Sequence, residues 1–148
     1  MKNNNILLGV KKEVENKLKK LNNLKIKTID NFEGIVFNQN VQLSSYHDTD
    51  CCEDVYADFE NMQVLSKIGK NSINTNELTF SGLGIISSLK LQNGVGFSFK
   101  SDEGIELFVS CYNIQNGYYD DNLTLCLELN GDVLYERDIT ECTKFMDA

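Results

Sequence analysis

The sequence predicts a single α+β domain, a mostly antiparallel β-sheet meander with an N-terminal amphipathic helix and one short internal helix. Three observations support this fold class. Apolar residues recur at spacings of three and four between residues 5 and 22, which is the period of a helix. From residue 24 onward apolar and polar residues alternate, which is the period of a strand. Turn-forming Asn-Gly and Glu-Gly pairs separate the later apolar segments.

The predicted N-terminal helix covers residues 5–22. Its apolar stripe consists of Leu7, Val10, Val14, Leu18 and Leu21. Lysines and glutamates fill most of the remaining positions, and Asn22-Asn23 ends the helix. A basic amphipathic helix can bind a membrane surface or a groove of the calmodulin type. Such helices more often cover one face of a sheet, so we expect this helix to pack against the strands.

Segments of period two predict strands in the first half of the chain, over residues 24–29, 35–37, 41–46 and 54–59. The sequence from Asp30 to Gly34 is typical of a turn between the first two strands. After the last of these strands, Asn61 is suited to cap a short helix. We expect this internal helix to run through Ile68 and to end at Gly69.

Apolar segments at short spacing predict further strands in the second half, over residues 78–80, 83–91, 95–99, 105–111, 123–129 and 133–135. Four turn-forming pairs separate the later ones, namely Asn93-Gly94, Glu103-Gly104, Asn116-Gly117 and Asn130-Gly131. Tight hairpin turns require positive φ angles, which Asn and Gly adopt readily, so consecutive strands are expected to pair as a meander. No linker, repeat or low-complexity segment divides residues 1–148, so one domain is expected.

The composition indicates a globular protein, because 41% of the 148 residues are hydrophobic and 24% are charged. No apolar run approaches the roughly 18 residues that a membrane helix needs. The apolar patch at residues 6–10 is too short for the core of a signal peptide, so we expect a cytoplasmic protein. Its five cysteines are then expected to be reduced thiols. No CxxC spacing is present, and the roles of Cys51 and Cys52 stay open.

Charge is distributed unevenly along the chain, which has a net charge of −8. Residues 1–27 contain eight lysines and two glutamates, whereas residues 28–148 contain six basic and twenty acidic residues. The larger segment therefore carries −14 and repels nucleic acid and anionic membranes. An acidic surface suits a partner protein with a basic surface, including the nucleic-acid channel of a nuclease. The alternative is that the acidic residues serve solubility alone.

The densest polar cluster is residues 47–54, which contain the only histidine, two cysteines and four carboxylates. Three interpretations are open. The first is a metal site with mixed nitrogen and oxygen ligands, made of His47, Asp48, Asp50 and Glu53. The second is a thiolate nucleophile beside the histidine, although the nearby carboxylates raise a thiol pKa. The third, which we favour, is a solvated acidic turn that enters a strand.

A second polar cluster, residues 116–122, contains Tyr118, Tyr119, Asp120 and Asp121. Tyrosine pairs beside a glycine turn are typical of binding surfaces, because a phenol combines flat apolar area with a hydrogen-bonding tip. Packing across strands is the alternative. The sequence has no phosphate loop, no GxGxxG motif and no Ser-His-Asp order. We therefore expect no catalytic residues and no cofactor.

Both clusters resemble motifs in a family of small uncharacterised proteins that are common in phages and mobile elements. In that family an Asp-Cys-Cys motif precedes an aliphatic-aromatic strand, as Asp50-Cys51-Cys52 precedes Val55-Tyr56 here. A later strand ends in an Asn-Gly-Tyr-Tyr motif, as at residues 116–119. The resemblance covers residues 24–128 and implies a phage-like setting without an assigned activity.

The leading functional hypothesis is a non-enzymatic acidic binding protein, encoded by a phage, that inhibits a host defence system as anti-CRISPR proteins do. It occupies a basic channel by mimicking nucleic acid. The residues expected to contact the partner are Asp48, Asp50, Glu53, Asp54, Tyr118, Tyr119, Asp120 and Asp121. One alternative is a sponge that sequesters a nucleotide signal by stacking its base on Tyr112, Tyr118 and Tyr119. A second alternative is a metal-dependent enzyme that uses residues 47–53. A third is a purely structural, self-assembling module.

Overall fold

The computed structural model describes residues 11–47, 54–65, 74–115 and 122–147. Within these ranges the chain is mostly antiparallel β-sheet with a few helices, as the sequence predicts. The α-helices are α1 (Lys12–Lys20) and α2 (Gly82–Ser87), and short 3-10 helices cover Phe59–Asn61, Thr75–Glu77 and Thr140–Cys142. The strands are β1 (Ile26–Asp30), β2 (Gly34–Phe37), β3 (Val41–Tyr46), β4 (Asp54–Ala57), β5 (Gln63–Val64), β6 (Lys90–Gln92), β7 (Gly96–Lys100), β8 (Glu106–Gln115), β9 (Thr124–Leu129), β10 (Asp132–Asp138) and β11 (Thr143–Asp147).

The first sheet has the strand order β1-β2-β3-β9-β10, and every neighbouring pair in it is antiparallel. A two-residue turn joins β9 to β10, with Asp132 opposite Leu129. In this turn Asn130 and Gly131 have φ angles of 54° and 84°. Positive φ at both central residues is what a type I′ hairpin requires. The hairpin predicted at Asn130-Gly131 is therefore confirmed.

The second sheet is built around β8, which is ten residues long. On one side of β8 lie β7, antiparallel to its first half, and β11, parallel to its second half. On the other side lie β5 and β4, both antiparallel, and β6 pairs with the far edge of β7. Neighbours cover both edges of β8, and its core-facing side chains Leu107, Val109 and Cys111 are completely buried in the hydrophobic cluster.

The single meander that the sequence predicts is wrong as a description of the whole sheet. Consecutive strands do pair in β1-β2-β3, in β6-β7-β8 and in β9-β10. However, the chain leaves the first sheet after β3 and returns to it after β8, so that β3 pairs with β9. Turn signals report which sequence neighbours form hairpins, whereas the pairing of β3 with β9 depends on burial between distant segments.

The internal helix predicted from Asn61 through Ile68 is wrong over its first half, and residues 66–68 lie outside the described residues. Gln63–Val64 forms β5 and pairs with β8. Helical spacing of Met62 and Leu65 suggested one apolar face, but a strand brings Met62 and Val64 against the core. Pairing with β8 therefore outweighed the local preference for a helix.

A helix, α2, forms instead in the first part of the segment predicted as a strand over residues 83–91. Its sequence is a short apolar run, which fits either a buried strand or a buried helix. The Ser81 hydroxyl accepts a hydrogen bond from the Gly84 amide at 3.0 Å and so caps the helix. Ile85 and Ile86 are both buried.

The helix α1 covers Lys12–Lys20, and residues 5–10 of the predicted N-terminal helix lie outside the described residues. The α1 helix packs against α2, where the Gly82 amide donates to the Leu21 carbonyl at 2.8 Å. A Cβ atom on Gly82 would lie 3.1 Å from the Leu18 carbonyl oxygen, so glycine allows this close approach. Neither helix is long and apolar enough to cross a membrane. The region of α1, α2 and the Leu24–Phe80 bridge, beside the start of β1, is called the helical end.

One hydrophobic cluster draws on an apolar face of each sheet. Phe80 joins the two contributions, since its ring centroid lies 5.4 Å from that of Phe37 in β2 and 5.9 Å from that of Phe99 in β7. All three side chains are at most 1% exposed. Tight contact between aromatic rings at these distances adds to the stabilisation that burial of their apolar area provides.

Replacing Phe80 with alanine is expected to lower the free energy of unfolding by about 3–5 kcal/mol, because the change leaves a cavity between two rings. Urea denaturation followed by circular dichroism measures the loss, and Phe80→Leu serves if the alanine variant does not fold. Phe32→Ala is the matched control: Phe32 is 92% exposed, so a change of less than about 0.5 kcal/mol is expected. Equal losses from both alanine variants would contradict this assignment of the core.

Candidate functional site

Both polar clusters of the sequence are attached to one end of the molecule. Residues 48–53 link β3 to β4, and residues 116–121 link β8 to β9. In the first sheet the end of β3 lies beside the start of β9, and in the second the start of β4 lies beside the end of β8. Four described residues therefore mark this region, which is called the connection end, namely His47, Asp54, Gln115 and Asn122.

His47 fastens the two strands of the first sheet at the connection end. Its Nδ1 lies 2.5 Å from the backbone oxygen of Asn122 and 2.9 Å from the side-chain oxygen of the same residue. Because the backbone oxygen only accepts, Nδ1 carries the proton and donates it. The position of His47 at the end of β3 is thereby tied to the residue that precedes β9.

The metal and nucleophile hypotheses find no additional support in the described part of the chain. Across residues 11–47, 54–65, 74–115 and 122–147, no three His, Cys, Asp or Glu side chains are grouped so as to hold a metal ion. The other proposed ligands and the thiols beside His47 lie outside these ranges, namely Asp48, Asp50, Cys51, Cys52 and Glu53. Both hypotheses therefore stay predictions.

The three described cysteines are free thiols in buried positions. Burial raises the pKa of Cys111 and of Cys142, which belong to the core. Cys126 lies on the outer face of the first sheet, with its sulfur 3.8 Å from a carboxylate oxygen of Glu136. Burial and the neighbouring carboxylates of Glu136 and Glu128 raise its pKa to about 11. All three shifts disfavour the thiolate, so none of these cysteines is an activated nucleophile.

The turn between β1 and β2 presents Phe32 to solvent with 92% of its surface exposed. The neighbouring Asn31 anchors this turn to the segment that follows β4. Its side-chain amide donates to a carboxylate oxygen of Asp58 at 3.1 Å. Its backbone amide donates to a carboxylate oxygen of Glu60 at 3.2 Å. Its side-chain oxygen accepts from the Glu60 backbone amide at 2.8 Å. The exposed phenyl group is therefore carried by a fixed turn.

Gly34 closes the same turn with a φ angle of +77°. A Cβ atom at this position would lie 2.2 Å from the Leu43 carbonyl oxygen of β3. Both the backbone conformation and the space require glycine here. Close packing of Gly34 on β3 and the bonds of Asn31 thus hold the turn from its two sides.

Beside the turn lies an open depression of about 440 Å³, lined by Asn31, Phe32, Asp54 and Tyr56. The Tyr56 ring rests on Tyr112 of β8, with centroids 5.5 Å apart and planes inclined at 39°. Burial raises the pKa of Tyr56, and the carboxylates of Asp58 and Asp54 raise it further. Both causes disfavour the charged phenolate, burial by removing water and the carboxylates by repulsion.

Five described carboxylates lie on or next to the turn and the depression, namely Asp30, Glu33, Asp54, Asp58 and Glu60. The turn adjoins the connection end, because Gly34 packs against Leu43 and Ser44 near the end of β3, and this carboxylate-bearing part of the connection end is called the acidic end. The one ion pair among the described residues joins Lys19 to Glu15 at 3.3 Å, within α1. β1 begins at the helical end and reaches the turn after five residues, about 17 Å at roughly 3.4 Å per residue. Because exposed charges are screened beyond about 8 Å at physiological ionic strength, α1 does not neutralise these carboxylates.

Of the eight residues predicted to contact a partner, Asp54 lies within the described part and lines the depression. The other seven lie outside it: Asp48, Asp50, Glu53, Tyr118, Tyr119, Asp120 and Asp121. Tyr112, the third stacking residue of the sponge hypothesis, is half-buried against Tyr56. Asn31 and Phe32 were not among the predicted site residues, although a phenylalanine between Asn and Glu in a predicted turn was a usable signal.

Replacing Asn31 with alanine is expected to lower the free energy of unfolding by about 1–2 kcal/mol, because the side chain makes two hydrogen bonds worth about 0.5–1.5 kcal/mol each. Hydrogen exchange of the Glu60 amide, whose acceptor is Asn31, is expected to become faster. Asn76→Ala, in the exposed 3-10 turn at Thr75–Glu77, is the matched control. An unchanged rate at Glu60 would show that Asn31 does not anchor the turn.

Thr140 fixes the link from β10 to β11 near the start of β9. Its hydroxyl donates to Asp138 Oδ1 at 2.6 Å and accepts from the Leu123 amide at 3.0 Å. The Thr140 amide also donates to the same Asp138 oxygen, at 2.8 Å. The hydrogen bond from the Thr140 hydroxyl, and to a lesser extent that from its amide, holds the pKa of Asp138 below its ordinary value of 3.8. Burial has a smaller, opposing effect.

The stability contributed by Asp138 is expected to depend on pH. Because the pKa of the carboxyl is lower in the folded than in the unfolded chain, its contribution is present above the unfolded pKa and is lost as the pH falls through the folded pKa. The difference in unfolding free energy between the wild type and Asp138→Asn should therefore shrink below about pH 4. Urea denaturation from neutral to acid pH measures it. A difference that does not vary with pH would contradict the shift.

No protein-family model, no curated protein and no solved structure matches this chain. The resemblance to small phage and mobile-element proteins therefore stays a prediction. Its two motifs, residues 50–52 and 116–119, lie outside the described residues. The described geometry of the connection end comes from His47, Asn122 and the residues around the depression.

Proposed function

We propose that this protein is a non-enzymatic acidic binding protein that docks its connection end on a basic surface of another protein. The observation that carries the proposal is the separation of charge along β1. Five carboxylates surround the anchored turn and the depression, while the lysines of α1 lie at the helical end. A basic surface is therefore attracted to the turn and the depression, where no lysine of α1 lies close enough to offset the carboxylates.

The arrangement also suits docking because part of the acidic end is already ordered. Asn31 holds the turn against the segment of Asp58 and Glu60, so these groups have little freedom to lose on binding. Complementary charge accelerates association and selects against acidic partners. The acidic residues at positions 48–53 and 116–121 would add to the same charge, because the described residues that flank both segments lie at this end.

A narrower proposal is that the partner is a nuclease of a host defence system and that the acidic end occupies its nucleic-acid channel, in the cytoplasm of a bacterial host. It is supported by the acidic charge and by the resemblance to phage proteins. The nucleotide-sponge alternative gains less support. Phosphate groups are bound by cations, whereas the carboxylates beside the depression repel phosphate. The metal-dependent enzyme gains no described ligand beyond His47.

Neutralising two carboxylates at the connection end is expected to weaken binding of a fluorescent oligolysine peptide, which stands in for a basic protein surface. The variant combines Glu33→Gln with Asp54→Asn, whose side chains make no hydrogen bond within the described ranges. A loss of about two- to thirtyfold at low salt is expected, since each of the two exposed charge contacts contributes about 0.2–1 kcal/mol. Fluorescence anisotropy measures the dissociation constant.

The matched control combines Glu13→Gln with Glu77→Gln, which removes the same charge at the helical end. It is expected to bind the peptide almost as tightly as the wild type. Raising the salt from about 0.01 M to about 1 M shortens the screening length from about 30 Å to about 3 Å and should abolish binding. Equal effects of the two double variants, or affinity that does not depend on salt, would overturn the proposed function.

A further inference from the structure

We propose that the depression lined by Asn31, Phe32, Asp54 and Tyr56 receives an arginine side chain of the basic partner. This inference rests on the proposed function and deepens it, because it names one specific contact within the acidic end. The depression combines two aromatic side chains, one carboxylate and one amide. Aromatic faces and a carboxylate together are the surroundings that organic cations prefer.

The lining groups offer complementary contacts to a guanidinium group. The carboxylate of Asp54 can accept two parallel hydrogen bonds from the planar fork of five N–H donors. The rings of Phe32 and Tyr56 offer faces on which the same plane can stack. Phe32 lies almost entirely in solvent and gains contact area when a ligand covers it. The structure thus provides charge, shape and apolar area at one place.

The depression is held open by its surroundings, so little ordering is needed when a ligand enters. Tyr56 rests on Tyr112 with ring centroids 5.5 Å apart. Asn31 is fixed by its bonds to Asp58 and Glu60 and so holds the backbone of the turn that carries Phe32. Preorganised groups of this kind spend less of their contact energy on lost conformational freedom.

Arginine suits these groups better than lysine for a geometric reason. The lysine ammonium is a compact, strongly hydrated charge that cannot make the bidentate contact or present a flat face to a ring. Guanidinium is more weakly hydrated, so its transfer onto aromatic surface costs less. The surrounding carboxylates attract both cations alike, and the aromatic lining distinguishes them. The expected preference for arginine is modest, because the depression is open to water.

The test compares two labelled peptides of equal length and charge, in which either arginines or lysines are spaced by glycine and serine. Wild-type protein is expected to bind the arginine peptide about two- to fivefold more tightly at the same salt concentration. Phe32→Leu and Tyr56→Leu keep apolar bulk but remove an aromatic face. In each variant the ratio of the two dissociation constants is expected to fall toward one, while the affinity for the lysine peptide stays unchanged.

Two further variants serve as controls for the aromatic contacts. Tyr56→Phe keeps the ring and is expected to keep the preference for arginine. Phe145→Leu changes another exposed phenylalanine, whose side chain lies on the face of the second sheet opposite to that of Tyr56. It is expected to have no effect. Thermal melts check that each variant is folded, and Phe32→Leu keeps the test decisive because Phe32 is exposed and not part of the core.

The outcomes separate this inference from the proposed function. If wild-type protein binds both peptides equally and the double variant Glu33→Gln with Asp54→Asn weakens both, the arginine site is refuted while the acidic docking surface stands. If the preference for arginine persists in both leucine variants, the site is likewise refuted. If neither peptide binds at low salt, the proposed function fails and the arginine site fails with it.

Discussion

The rest of the structure depends on the burial of one apolar face of each sheet in a shared core. Because β3 and β4 belong to different sheets, the chain crosses between the sheets after β3, and it crosses back after β8. Strand direction determines where these crossings are attached, since β9 begins beside the end of β3 and β4 begins beside the end of β8. Two polar segments that are distant in sequence therefore meet the body of the protein at one end.

Features that arise within a few residues were predictable from the sequence. The β3 strand has the predicted bounds of residues 41–46, and Asn130-Gly131 forms the expected hairpin turn because both residues adopt positive φ. Features that depend on distant partners were not predictable. The parallel pairing of β11 with β8 has no local signal, and the run that begins α2 fits a strand equally well until the cap from Ser81 is known.

The candidate site divides in the same way. The charge asymmetry between the lysine-rich beginning and the acidic remainder can be counted from the sequence, but its spatial separation follows from the direction of β1, which carries the chain from the helical end to the turn. Asn31 illustrates what composition cannot provide. Its role arises from hydrogen bonds to Asp58 and Glu60, which lie 27 and 29 positions away in sequence. Such contacts appear once the two sheets have packed.

In the proposed docking of the connection end, charge and fixed geometry make different contributions. Attraction between exposed charges acts over about 8 Å at physiological ionic strength, so it selects which end of the protein meets a basic surface as the two approach. It selects against acidic surfaces, and the pattern of charges fixes the register on a basic one. Groups on an anchored backbone add further discrimination, and the bonds of Asn31 anchor the turn that carries Phe32. In the proposed complex, the carboxylates therefore act mainly on the rate of association, whereas the aromatic lining of the depression slows dissociation.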